Sequence, residues 1–426
     1  MKKIFSLAAA GFILAGSLAA QPSINASVRI KSNLLSTDFD EWKFLDYHGY
    51  GAIGSSLLFS ASTKSAGIEI GINPVISFDE SSSPDKWNKI LSLGTYDAWV
   101  KFGKNQEFTL KAGSWDGRAV GCVNAGRLAM DGIDFSPCNP GMISSITSKK
   151  LGMDISSQCG SAETNKLAAM FQYDNGSLEI RGSAANLDFT SADGFSMNDK
   201  IAFGVDTFMA EVGYKIPYVG RVLVNGKFAK DELAAGAFFE PAFPFLKNLT
   251  ALIGFTGEFE GEANVQNAGT NLWGFGADIR ARYVFDKNIS VTTINNFTLN
   301  QLDVATSTPV NVGLAMENMV NMLYNVHPRR NDLLVYVNIR HFTGLPTSTN
   351  YDYKPTLLTA AESGNSSKLD WVSNFRISNV IEYNFNENAK IDAGIAFNIL
   401  NCFNNQASNT DPVFTIQVPL AFQVSF

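Results

Sequence analysis

Arg280 and Arg282 stand two residues apart, with Asp278 before them, and Arg29 and Lys31 repeat that spacing. Residues two apart share one face of a β-strand. Arg340, and Arg376 with Glu382, fall on the same kind of face in their own segments. Glu69, Asp97, Lys101, Lys111, Glu179 and Arg181 supply a second set. Groups arranged in this way form neither a nucleophile nor a general base. They form a charged wall, whose chemistry is to attract, orient or exclude ions and dipolar solutes. The same residues can also neutralise one another as ion pairs on an inert wall, and residue types do not decide between the two.

Nothing else in the chain suggests catalysis. There are three histidines. His327 sits beside Pro328, Arg329 and Arg330 in a predicted turn, and His341 shares the parity of Leu333, Val335, Val337 and Ile339. His48, with Asp46 nearby, is the one place for an acid–base dyad. No phosphate loop, dinucleotide fingerprint or zinc spacing is present, so no catalytic residue, cofactor or metal is expected.

The elements that would position the charges read as strands. In the segment 413–426, Phe414, Ile416, Val418, Leu420, Phe422, Val424 and Phe426 alternate with Thr415, Gln417, Pro419, Ala421, Gln423 and Ser425, giving one apolar and one polar face. The pattern recurs through the chain. Strands are expected at 24–33, 50–61, 67–78, 93–103, 107–115, 165–174, 177–189, 201–215 and 220–230. They continue at 234–241, 249–260, 272–285, 289–299, 311–326, 332–343, 370–385, 389–400 and 413–426. Segment 311–326 is rich in Met, yet Val312, Leu314, Met316, Val320, Met322 and Tyr324 keep period two, so it reads as strand. A bulge is expected to shift the phase within 201–215.

Residues 1–20 have the form of a secretory signal: Lys2 and Lys3, an apolar run from Ile4 to Ala15, then small residues up to Ala20. Ser17 stands where a lipoprotein would need its acylated cysteine, so no lipid anchor is expected. The formal charge is −7, and it becomes −9 once Lys2 and Lys3 are removed, which disfavours a nucleic-acid partner. No later run approaches the roughly 18 apolar residues that a membrane helix requires. An exported chain without such a helix can still span a membrane as a closed β-barrel.

The connections fit a barrel. Lys64–Ala66, Asn105–Gln106, Asp174–Gly176, Asp286–Asn288 and Asn386–Asn388 are short turns. Residues 34–49, 79–92, 116–164, 261–271 and 344–369 are long loops, with Asp231–Glu232 as a brief exception. Short turns at one end and long loops at the other are the organisation of outer-membrane barrels, and they put both termini on the periplasmic side. Aromatics gather at both ends of the outward faces: Phe78, Tyr96, Phe259, Trp273, Trp371 and Phe414 at the long-loop end, and Phe102, Tyr173, Tyr283, Phe285, Tyr383, Phe385 and Phe426 at the other.

With its terminal Phe426 after alternating apolar residues, its export signal, its length and its long third loop, the chain resembles the porin superfamily of bacterial outer-membrane β-barrels. The eighteen-stranded substrate-selective channels are nearest in size. The resemblance implies an all-β, closed antiparallel barrel of eighteen strands over residues 21–426, with sixteen as the alternative. It implies recognition of Phe426 by the barrel-assembly machinery, and a third loop folded into the lumen. Asp131 and Asp134 on that loop would then face a basic wall of Arg29, Lys31, Arg280, Arg282, Arg340 and Arg376. Small hydrophilic solutes would pass between them, and lipid would surround the barrel. A non-conducting adhesin and a fatty-acid-type channel are the competing functions. The loop also carries Cys122, Cys138 and Cys159, and Cys402 lies in the last long loop. An even count in an exported chain favours disulfides, with three pairings open and Cys122–Cys138 plus Cys159–Cys402 the simplest.

Overall fold

The computed structural model describes residues 21–46, 53–76, 91–114, 166–188, 207–229, 232–260, 272–302, 311–344, 372–400 and 413–426. The expected signal segment, the third loop with Asp131 and Asp134, all four cysteines, and His48 lie outside them. The strands are β1 (Gln21–Thr37), β2 (Trp42–Asp46), β3 (Ile53–Ser62), β4 (Ala66–Ile76), β5 (Leu91–Phe102), β6 (Phe108–Ser114), β7 (Lys166–Asp174), β8 (Leu178–Asp188), β9 (Thr207–Ile216) and β10 (Gly220–Ala229). They continue with β11 (Glu232–Pro241), β12 (Leu249–Glu260), β13 (Leu272–Val284), β14 (Ile289–Leu302), β15 (Asn311–Asn325), β16 (Leu333–Gly344), β17 (Val372–Asn384), β18 (Ala389–Leu400) and β19 (Val413–Ser425).

Each strand pairs antiparallel with its neighbours, and β1 pairs with β19 to close the sheet. β2 covers the Asn33–Thr37 end of β1 while β3 covers Gln21–Ile30, so these two are successive halves of one stave. The result is a closed antiparallel barrel of eighteen staves, which leaves no open edge.

Alternation decides the faces. On β19, Phe414 and Phe422 point outward and are exposed, whereas Gln417 and Ala421 point inward and are buried. On β13, Phe275 and Ile279 face out and Arg280 faces in. The outer wall is a belt of exposed apolar residues that includes Val100, Leu110, Phe171, Val212, Val224, Phe255, Ile339, Ile377 and Phe397. Contiguous apolar surface of this kind marks contact with lipid or protein. At the short-turn end the expected aromatic girdle forms pairs: Phe108 lies 5.3 Å from Phe102 and 5.2 Å from Tyr173, and Tyr283–Phe285 and Tyr383–Phe385 meet edge to face at 4.8 and 5.1 Å.

The short turns are built by local side-chain acceptors, as their Asn, Asp and Thr residues require. Asp286 Oδ1 accepts the N–H groups of Asn288 and Ile289 at 2.7 and 2.8 Å. Asn175 Oδ1 does the same for Ser177 and Leu178 at 3.0 and 2.8 Å. Asn386 Oδ1 accepts from Asn388 N–H at 2.8 Å.

Two expectations change. The first strand does not stop at residue 33, and 34–49 is not simply a loop. β1 runs on to Thr37, turns at Asp38–Glu41, and returns as β2. The turn is fixed by Asp38 Oδ1, which accepts from Asp40 and Glu41 N–H at 3.1 and 2.8 Å, and by the Thr37 hydroxyl, which donates to the Glu41 carbonyl at 2.8 Å. The register slips by one at Leu34, just after Asn33 pairs with Pro419, a residue with no N–H to give the ladder. That slip keeps Leu35 and Thr37 on the outer face while Arg29 and Lys31 pair with the inward residues Gln423 and Ala421. Within the eighth expected strand, by contrast, Thr207–Ile216 pairs without a break, so no bulge interrupts its described part.

Candidate functional site: the lumenal wall

Inward-facing residues from neighbouring strands line up in rows set by the register. One row runs Leu252, Arg280, Ile294, Met319, Arg340, Arg376, Asn398, Thr415 from β12 to β19. The register thus brings together three of the arginines expected from the sequence. Arg340 and Arg376 are directly opposite each other on adjacent strands. Like charges so placed repel unless hydrogen bonds or anions hold them. Arg376 Nη1 donates to Asn398 Oδ1 at 3.0 Å and to Gln417 Oε1 at 3.4 Å, and Asn398 Nδ2 in turn donates to Thr415 Oγ1 at 2.8 Å. Arg280, Arg340 and Arg376 are 0, 2 and 3% exposed, so the wall packs closely at this level. Arg282 lies one row nearer the short turns and is half-buried.

A second charged group occupies β8–β11. Glu179 pairs with Arg181 and also with Arg221, the latter at 2.5 Å. Arg181 reaches Glu211 at 3.4 Å, Arg221 reaches Glu240 at 3.5 Å, and Asn225 Nδ2 donates to Glu211 Oε2 at 3.4 Å. Three carboxyl and two guanidinium groups thus form one cross-strand network. Glu179 and Arg181 were legible as inward charges. Glu211, Arg221 and Glu240 were missed, and the available signal was Glu211 standing alone between Ala210 and Val212.

Smaller groups complete the wall. Lys111 pairs with Asp97 at 3.1 Å, beside Glu69, and Lys390 pairs with Glu382 at 3.0 Å and Asp392 at 3.7 Å. Half of an eighteen-stave circumference is nine staves. By that count β4 with Glu69 lies across the lumen from β13 with Arg280 and Arg282, and β8 with Glu179 and Arg181 lies across from β17 with Arg376 and Glu382. Charges of both signs thus stand on these facing arcs of the wall, while Asp131 and Asp134 lie outside the described residues.

The lumen also carries apolar surface. Ile294, Met319, Leu334, Tyr336, Val380 and Ala421 form an inward cluster. Phe238, 2% exposed, lies over Gly236 and Gly254, where a Cβ would meet its ring at 2.7 and 2.6 Å. Trp99 lies in the same way over Gly67, with Lys101 Nζ 5.4 Å above its ring. Trp99, Tyr336 and Phe238 thus bring aromatic surface to the inner face.

The two described histidines, His327 and His341, sit apart from this wall. His327 Nδ1 is 2.8 Å from Asp332 Oδ1 in a short-end turn, and Arg330 Nε is 3.2 Å from the other oxygen of Asp332. His341 Nε2 lies 2.9 Å from the Ser373 hydroxyl. Among the described residues no group of His, Cys, Asp and Glu could hold a metal ion.

No protein-family model and no curated protein matches the chain. Solved structures do. A BenF-like porin from Pseudomonas fluorescens Pf-5 is similar with a TM-score of 0.50 and 10% identity, over 95% of this chain and 99% of that one. The outer membrane protein opdK from Pseudomonas aeruginosa aligns with a TM-score of 0.49 at 10% identity, over 95% and 99% of the two chains. OccK2 of the same organism, solved in complex with glucuronate, aligns at 0.48 and 10%, over 95% and 98%. At 10% identity the likeness is one of fold alone: like the BenF-like porin, the chain is a closed antiparallel β-barrel.

Proposed function

We propose that the chain is an outer-membrane channel for passive diffusion of small hydrophilic solutes, and that it is not an enzyme. The observation that carries this reading is the division of one closed wall into an exposed apolar exterior and a charged interior. Charged side chains on the lipid face would cost about 2–4 kcal/mol each near the midplane, whereas a wet interior accepts them. The short turns and Phe426 share one end, which supports a periplasmic position for both termini, after export by residues 1–20 and handling by the barrel-assembly machinery. Arg280, Arg282, Arg340 and Arg376, with Arg29 and Lys31 on β1, form the basic side of the passage in this proposal. Asp131 and Asp134, together with the Glu179–Glu211–Glu240 network, form the acidic side. Opposed charge across a narrow passage sets up a transverse field that sorts solutes by charge and dipole.

One observation favours a second reading. Arg280, Arg340, Arg376 and the cluster around Tyr336 point inward yet are buried, as a plugged, non-conducting surface barrel would have them. Efflux of graded neutral and charged solutes from vesicles holding the folded protein separates the two. Release of small solutes with retention of large ones is the expected result. Retention of all of them by correctly folded protein contradicts the channel.

A further inference from the structure

The short-turn rim is polar at most of its tips: Lys64, Lys104, Asn175, Lys287, Arg329 and Glu387. One sector differs. The β9–β10 turn presents Tyr218, 87% exposed, and Val219, 49% exposed. The β11–β12 turn presents Phe245, 96% exposed, and Leu246, 50% exposed. The two turns are fused by the Ala242 N–H donating to the Val219 carbonyl at 2.8 Å. Gly220 makes this approach feasible, because at φ 138° a Cβ there would lie 2.2 Å from the Glu240 carbonyl oxygen. Tyr218 itself has φ 64°, a left-handed conformation that Gly or Asn would adopt at less cost. A strained position is thus spent on presenting an aromatic ring outward. Lys215 and Lys247 flank the four apolar residues, and neither 215–219 nor 242–248 contains Asp or Glu.

We propose that these fused turns are an interfacial foot, which inserts Tyr218, Phe245 and Leu246 into the headgroup layer of the leaflet on the short-turn side and sets Lys215 and Lys247 against lipid phosphates. Aromatic rings favour that depth, and basic side chains beside them gain from anionic headgroups. The foot is continuous with the outer belt through Tyr214, Val212 and Val224, all exposed on the same strands. It anchors one sector of the barrel below the wall, whereas the girdle pairs Tyr283–Phe285 and Tyr383–Phe385 lie within the wall. The inference rests on the membrane reading proposed above.

The test places one added tryptophan at a time, by Phe245→Trp or Tyr218→Trp, in protein folded into vesicles of phosphatidylethanolamine and phosphatidylglycerol. Emission added over that of the natural protein is then quenched by acyl-brominated lipid or by aqueous acrylamide. Phe255→Trp, on the outer belt, reports the membrane reading, and Glu387→Trp, at a polar turn tip, reports water. The proposal expects Phe245→Trp and Tyr218→Trp to lose most of their added emission to brominated lipid and little to acrylamide. Acrylamide quenching equal to that of Glu387→Trp, with Phe255→Trp still quenched by bromine, would overturn the foot, leave the membrane reading intact, and make the patch a candidate for a periplasmic protein. Acrylamide quenching of Phe255→Trp as well would overturn both.

Discussion

Phe426 and Ala26 exchange two backbone hydrogen bonds, Phe426 N–H to the Ala26 carbonyl at 2.7 Å and Ala26 N–H to the Phe426 carbonyl at 2.9 Å. They fasten the last stave to the first at the short-turn end, where the sheet would otherwise fray. In lipid each unpaired backbone group costs several kcal/mol, so closure at this point matters more than it would in water. Deleting Phe426 removes both bonds and the terminal aromatic. The expected outcome is a large loss of the heat-resistant, compact species on unheated gels, together with less protein recovered in the membrane. Full recovery of that species would show that the terminal residue does not secure closure.

The exposed residues of the outer wall distinguish lipid from water. Ile279 is 50% exposed and Ile377 is 36% exposed. On a protein in water, Arg at such sites changes stability by within about 0.5 kcal/mol. On a wall facing lipid the same change costs about 2–4 kcal/mol near the midplane. Ile279→Arg and Ile377→Arg should therefore each lower the stability of bilayer-folded protein by the larger amount in denaturant titration. A cost near zero would place this wall in water.

The faces of β13 and β19 were legible because large apolar residues alternate with polar ones without a break. The charges on β13, β16 and β17 could be assigned inward for the same reason. Other features depend on residues far away in the chain. The slip at Leu34 follows the pairing of Asn33 with Pro419, which the local pattern of β1 does not contain. Phe238 was hidden because Phe239 follows it and Ala234, Ala235 and Ala237 precede it, so neither parity stood out. The Glu179–Arg221–Glu240 linkage needs the register of four strands before its members become neighbours. The burial of Arg280, Arg340 and Arg376 reflects packing in the closed barrel, which alternation does not encode.

The network on β8–β11 should behave as one coupled unit. A double-mutant cycle with Glu179→Gln and Arg221→Met should give a coupling energy of about 1–3 kcal/mol, because the two groups are in contact and largely withdrawn from water. Each single change leaves a charge without one of its partners, while the double change removes both. Additive effects would mean that the network contributes no pairwise stabilisation.

Hydrogen bonds from backbone N–H groups, led by that of Glu41, hold the Asp38 carboxyl below its ordinary value of 3.8. A depressed carboxylate stabilises the folded hairpin fully above its unfolded pKa, and that contribution is lost as pH falls through the folded pKa. The β1–β2 hairpin should therefore keep its structure down to about pH 4 and loosen below it, and Asp38→Ala should loosen it at every pH. An NMR titration of the Asp38 carboxyl carbon checks this directly. A midpoint at or above the ordinary value would contradict the capping role.

The most direct test of the channel is planar-bilayer recording in asymmetric potassium chloride, comparing the natural protein with the Arg280→Ala, Arg282→Ala double variant. The account predicts discrete conductance steps from both and a reversal potential shifted toward cation selectivity in the variant, because two positive charges leave the basic side of the lumen. An open, folded variant with unchanged selectivity would show that these arginines do not govern permeation. The absence of any steps from well-folded natural protein would contradict the channel itself.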